Sequence, residues 1–190
     1  MALIKTSAQG LTADATNFVL LHSASGSSSI AQLDIDSTYI NSTYNNYKLY
    51  LNLSPVSDNV KLYARFFVNG SVRTGSSDYT YIDHRLDAGT YARGMGDGVA
   101  QISVTSESGM GHELYEKKNC VIDLTDITST NQRATIRSWN VFKNASYNER
   151  TSISSGALKD TGHDAVNGIR FYMTSGNIDY YDYKLYGVKG

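Results

Sequence analysis

Proline and cysteine are nearly missing from this sequence: one of each stands among 190 residues. The lone Cys120 has no second thiol, which excludes an internal disulfide and a cysteine-paired metal site. Stability must then come from burial and backbone pairing, and Cys120, inside the strand-like run Lys118 to Asp123, reads as a small buried hydrophobe. Charge is also scarce. Asp, Glu, Lys and Arg make up 18% of the chain and the formal net charge is −1, so there is no cationic excess for nucleic acid or an anionic membrane. Long apolar runs are absent, and nothing approaches the roughly 18 residues of a membrane-spanning helix. Met1 to Gln9 has no apolar stretch of signal-peptide length, and the expectation is a protein made, and at least initially kept soluble, in the cytosol. Four Asn-x-Ser/Thr triplets, beginning at Asn41, Asn52, Asn69 and Asn144, carry no weight without a secretory signal.

What the chain does contain is strand-forming material. It has 15 Tyr and 5 Phe, many β-branched residues, and Gly and Ser at short intervals. Between Val60 and Val68, apolar Val60, Leu62, Ala64, Phe66 and Val68 alternate with Lys61, Tyr63, Arg65 and Phe67, the period of a strand. Asn69-Gly70 follows, and two residues that tolerate positive φ between extended segments predict a hairpin. Tyr47 to Leu53 alternates in the same way, and the turn cluster Ser54 to Asn59, with the one proline, separates the two. Further strands are predicted over 17–23, 29–35, 78–84, 100–105, 114–124, 134–142, 151–158, 168–174 and 180–189, about eleven in all. No segment reads as a long helix. The expected fold is an all-β, antiparallel two-sheet sandwich of jelly-roll type over 17–190, with residues 1–16 as a polar N-terminal arm that orders on a neighbour. The glycine-rich interval Asp87 to Gly98 reads as a long loop whose Tyr91, Arg93 and Asp97 are available for contacts.

Catalytic constellations do not emerge. The histidines at 22, 84, 112 and 163 show no metal-ligand spacing, and adjacent carboxylates such as Glu113 beside His112 would point to the opposite face of a strand. Asp34 and Asp36 share a strand face, as a cation site would require, but so does any solvated strand end. There is no nucleophile elbow, and Gly94 and Gly96 lack the third glycine and following helix of a phosphate loop. The reading is a non-enzyme with no cofactor and no metal.

Tyrosine is the feature left over. It clusters at Tyr39, Tyr44, Tyr47 and Tyr50, at Tyr79 and Tyr81, and at Tyr180, Tyr181, Tyr183 and Tyr186. Its apolar body and polar tip suit interfaces. Because the Val60 to Val68 face fills the core, Tyr63 and Phe67 on the reverse face are expected to meet another layer or a partner. Tyr63, Phe67, Tyr180, Tyr181 and Tyr183 are therefore the candidate interface residues.

The stretches Gly168 to Ile178 and Tyr183 to Lys189, with looser matches at Tyr47 to Leu53, Ser57 to Val60 and Thr74 to Tyr79, resemble small virion proteins of tailed phages of marine bacteria. The resemblance covers about half of the chain in pieces, and its motifs are strands and turns. Asp179 to Asp182 departs from it, being bulkier than the small turn expected there. The resemblance implies a β-sandwich component of a virion. A lone domain without a shaft fits a capsid decoration or cement protein, bound to the major capsid protein as a homo-oligomer, a trimer by analogy. A receptor- or glycan-binding module of a tail or head fibre is the alternative.

Overall fold

Alternation of apolar and polar side chains produces strands throughout. The computed structural model describes residues 17–87, 89–105, 109–159 and 164–189, so the expected N-terminal arm and His163 lie outside the described residues. Within them run β1 (Phe18–Gly26), β2 (Gln32–Ile35), β3 (Asn46–Pro55), β4 (Leu62–Val68), β5 (Ser71–Val72), β6 (Tyr79–Asp87), β7 (Thr90–Val99), β8 (Ile102–Ser103), β9 (Lys118–Thr125), β10 (Thr135–Lys143), β11 (Glu149–Leu158), β12 (Val166–Met173) and β13 (Ile178–Val188). The helical content among the described residues is one 3₁₀ turn, Leu114–Glu116, which displaces the start of the strand expected from residue 114 to Lys118.

Two sheets form. The larger has the order β1-β13-β3-β9-β10-β11-β6-β7, and the smaller β2-β12-β4-β5 with β8 also on β4. Pairing is antiparallel and nested: β1 joins β13, β2 joins β12, β3 joins β9, and β4 joins β5 and β8. That nesting is the rolled-up hairpin of a jelly roll, extended on one side by β10, β11, β6 and β7. The β4–β5 turn uses Asn69 and Gly70 at φ 52° and 76°, as the Asn-Gly pair predicts.

The core lies where the two sheets face each other. Leu49, Leu51, Leu53, Ile122, Leu124 and Leu185 come from the larger sheet, and Ile35, Leu62, Phe66, Ile169 and Phe171 from the smaller. Each such side chain contributes about 1.5–3 kcal/mol by leaving water. Tyr47 closes one end: its buried hydroxyl donates to the Asn41 carbonyl at 2.6 Å and accepts from the Asn41 amide at 2.9 Å. Tyr79 does the same service deeper in, donating to the Arg73 carbonyl at 3.1 Å and accepting from the Phe66 amide at 2.9 Å.

The strands beyond the jelly roll are lined differently. From the smaller sheet, the short strand β8 lies against β6 and β11, and Phe66 of β4 meets Tyr79 of β6. Residues around β8 bring unpaired carbonyls into the interior, and the inner faces of β10 and β11 answer with donors. Asn140 Nδ2 and Ser138 Oγ donate to the Val104 carbonyl at 2.9 and 3.3 Å, and Ser154 Oγ donates to the Ser103 carbonyl. These two strands therefore carry Ser138, Asn140, Ser152 and Ser154 inward and Trp139, Val141 and Ile153 outward, the reverse of the usual arrangement.

The segment expected to be a glycine-rich loop is strand β7. Its outward positions are Tyr91, Arg93, Met95 and Asp97, while Ala92, Gly94 and Gly96 face inward. Glycine is required on that side: a Cβ at Gly96 would lie 2.5 Å from the Tyr81 ring, and one at Gly94 2.9 Å from the Asp83 carboxylate. Large β6 side chains fill the space that β7 vacates.

Candidate interaction surface

Register sets the outer face of the eight-stranded sheet. One row across it reads Lys184, Tyr50, Val121, Trp139, Ile153, His84 and Arg93, from β13 to β7. The next row holds Asp182, Asn52, Asn119, Val141, Thr151, Leu86 and Tyr91, and the row on the other side Tyr186, Lys48, Asp123, Arg137, Ser155, Ile82 and Met95. Tyr50, Ile82, Leu86, Tyr91, Trp139, Val141 and Ile153 are all exposed, and Met95 is 75% exposed. A shallow depression of about 620 Å³ lies over Tyr50, Trp139, Ile153, Leu86 and Tyr91. A second, of about 550 Å³, occupies the other half of the same face, over Phe18, Ile82, Arg137 and Ala157. Charges sit among and around the apolar residues in both signs: Lys48 pairs with Asp123 at 2.6 Å, and the Arg137 guanidinium lies 5.8 Å from the Trp139 ring centre. An apolar, aromatic centre with a mixed-charge surround is the make-up of a protein-binding patch.

The outer face of the smaller sheet contrasts with this. Tyr63 and Phe67, expected to need a layer or a partner, are half-buried under side chains of their own sheet. Arg170 lies over the Phe67 ring at 5.3 Å and holds Asp34 through two hydrogen bonds of 2.7 Å. Tyr63 meets Tyr172 edge-on at 5.9 Å, and Arg65 covers Tyr172 at 4.9 Å. Arginine stems and planes supply the missing cover.

The C-terminal tyrosines also turn inward. Tyr183 is 4% exposed, a core residue and not an interface one, with its hydroxyl 2.9 Å from His22 Nδ1 and its pKa pushed up to about 12 by burial. Tyr181 is half-buried against the core, close enough to Gly26 that a Cβ there would meet its ring at 2.7 Å. Tyr180 is half-buried beneath Lys117, whose ammonium lies 3.5 Å from the ring centre. Of the positions expected to make contacts, Tyr91, Arg93 and Asp97 do reach the surface, but on a strand: Tyr91 stacks on and hydrogen-bonds His84, and Asp97 pairs with Lys159 at 2.8 Å. Trp139, Val141, Ile153, Leu86 and Met95 were not among the expected residues. The signal that marks the first three is a strand whose alternate positions are Ser and Asn.

Asp34 is engaged by Arg170, and Asp36 accepts the Thr38 amide at 2.9 Å, which together with the Thr38 hydroxyl holds its carboxyl below the usual range. Cys120 is a free thiol, buried, donating to Asn140 Oδ1, with burial raising its pKa. His112 and Asp58, 54 residues apart, do meet at 2.9 Å, away from the open face and near Glu116. No helix among the described residues is long and apolar enough to cross a membrane. No family model, no curated protein and no solved structure matches the chain.

Proposed function

We propose that this chain is a structural protein of a phage virion, a decoration or cement protein, and that it binds through the outer face of its eight-stranded sheet. The observation that carries the binding surface is the continuous set of exposed apolar side chains at the centre of that face, from Tyr50 through Trp139 and Ile153 to Leu86 and Tyr91. Strands β10 and β11, which send Ser and Asn inward while presenting Trp139, Val141 and Ile153 to water, reverse the normal polarity, and burial against a partner removes the cost. The virion assignment draws on the resemblance of the strand and turn motifs. The partners it implies are the major capsid protein and further copies of this chain, in a closed oligomer whose number, three, comes by analogy.

The test is uptake by the particle. Hundreds of copies per virion by gel densitometry support decoration, and a few tens or fewer contradict it. Replacing Ile153 and Leu86 by Lys should abolish uptake while the variant stays folded. Retained uptake would remove this face from the proposal.

The second reading, a glycan-binding module of a fibre, is favoured by one detail. The first depression sets Trp139, Tyr50 and Tyr91 near Asn52 and Asn119, and flat aromatic faces beside amides can stack and hydrogen-bond a sugar. Low copy number together with Trp139-dependent retention on host polysaccharide would decide for it.

A further inference from the structure

Away from the open face, three side chains from two distant segments converge. Asp58 lies in the β3–β4 turn, next to Asn59 in the left-handed region at φ 58°. The turn is clamped to the segment before β9: the Asn59 amide donates to the Met110 carbonyl at 2.9 Å, and the Met110 amide donates to the Val60 carbonyl at 2.8 Å. Gly109 permits the approach, since a Cβ there would fall 2.3 Å from the Asn59 Cα. The next residues bring in His112, whose amide and Nδ1 lie 3.0 and 2.9 Å from the same Asp58 oxygen, Oδ1.

Glu116 completes the group from the 3₁₀ turn. Its chain folds back so that Oε2 accepts the Glu113 amide at 2.9 Å, and the carboxylate rests on Gly111, where a Cβ would be 2.1 Å away. The residue is 2% exposed, and Oε1 has no hydrogen-bond donor among the described residues. A desolvated carboxylate oxygen without a donor is rare in folded proteins and calls for a cation or a proton. Among the described residues, neither Lys nor Arg pairs with Asp58, Glu113 or Glu116; the charges around His112 are these three carboxylates.

We infer that Asp58, His112 and Glu116 bind a divalent metal ion. One ligand atom from each lies within 4.8 Å of the other two. Two ligands about 2.0–2.1 Å from one ion sit roughly 2.9–3.4 Å apart, so the Asp58 Oδ1 to His112 Nδ1 separation already has the span of a ligand pair. Two carboxylates and an imidazole suit Zn²⁺ or Mn²⁺ better than Ca²⁺, which prefers oxygen alone, and no thiolate is involved. Glu113, with Oε1 3.5 Å from His112 Nε2, adds negative charge at the edge. The ion would tie the β3–β4 turn to the entry of β9, so its binding free energy would appear as stability.

The test uses the full chain stripped with a chelator, then titrated with Zn²⁺ and separately with Mn²⁺ and Ca²⁺, by calorimetry and by thermal melting. The expected result is one Zn²⁺ per chain and a melting temperature that rises with Zn²⁺ concentration. Asp58→Asn and His112→Gln, both exposed, should weaken binding at least tenfold and lose the rise. Glu116→Gln should do the same, and if it fails to fold, the two exposed variants decide. Absence of saturable binding by all three ions, or binding within twofold of wild type in His112→Gln, would overturn the site. Saturation by Ca²⁺ alone would overturn the transition-metal assignment. The inference is independent of what docks on the open face.

Discussion

The two outer faces of this sandwich are both rich in aromatic residues, yet only one is bare. On the five-stranded sheet, Phe67, Tyr63 and Tyr172 lie under or beside Arg170 and Arg65, and Asp34 fixes Arg170 in place. On the eight-stranded sheet, Leu86, Tyr91 and Met95 are more than half exposed, and Ile153 and Trp139 stay exposed at 47% and 38% although Arg137 lies 5.8 Å from the Trp139 ring centre. The lesson is that strand alternation says which way a side chain points, but the neighbouring strand decides whether it stays exposed. Cross-strand partners, set by register, turn one aromatic face into a closed surface and leave the other open.

The comparison can be broken by exchanging the character of each face. The largest effect is expected from Ile153→Lys with Leu86→Lys. Association through this face should weaken at least a hundredfold, about 3 kcal/mol, with folding stability changed by less than about 1 kcal/mol, as read by sedimentation and denaturant melts. Phe67→Ala on the closed face should do the opposite, leaving association intact and lowering stability by about 1–2 kcal/mol.

A comparable effect on stability is expected inside the molecule. Lys118 points into the core with no exposed surface, its ammonium 5.6 Å from the Phe142 ring, and burial lowers its pKa to about 8. A folded pKa below the unfolded value means that the native state releases the proton first. The penalty is therefore full below about pH 8 and fades as pH rises toward the ordinary value near 10.5. Lys118→Met should raise stability at pH 7 by on the order of 2–3 kcal/mol, and the gain over wild type should shrink between pH 8 and pH 10 in urea melts.

The smallest effect sharpens the contrast most finely. Arg170→Ala uncovers Phe67 and breaks a partly exposed ion pair, so stability should fall by only about 0.5–1 kcal/mol. Binding of a hydrophobic dye should increase at the same time. An unchanged dye signal would mean that the guanidinium is not what covers the ring.

Much of the fold was legible. The Val60 to Val68 alternation, the Asn69-Gly70 hairpin and the two-sheet architecture follow from local pattern and turn chemistry. Strand β7 was misread because glycines usually mark loops. Here Gly94 and Gly96 alternate with Arg93, Met95 and Asp97, and the alternation is the strand signal; the glycines make room for Tyr81 and Asp83. The open face was harder to find, since apolar residues are expected inward and β10 and β11 send Ser and Asn inward to serve the carbonyls around β8. Tyr183 illustrates the limit for single residues: nothing local to β13 tells that its ring enters the core beside His22. The Asp58–His112–Glu116 group could not be read at all, because its members meet through a turn and a 3₁₀ segment 54 residues further on.

Oxidative footprinting of the free and particle-bound protein tests the central claim most directly, since Trp139 is the only tryptophan and Met95 the most exposed of the large apolar residues on this face. The account predicts that binding protects Trp139 and Met95 severalfold while Tyr63, Phe67 and Tyr172 keep their reactivity. Unchanged oxidation of Trp139 and Met95, with protection appearing over Tyr63 and Phe67, would contradict it.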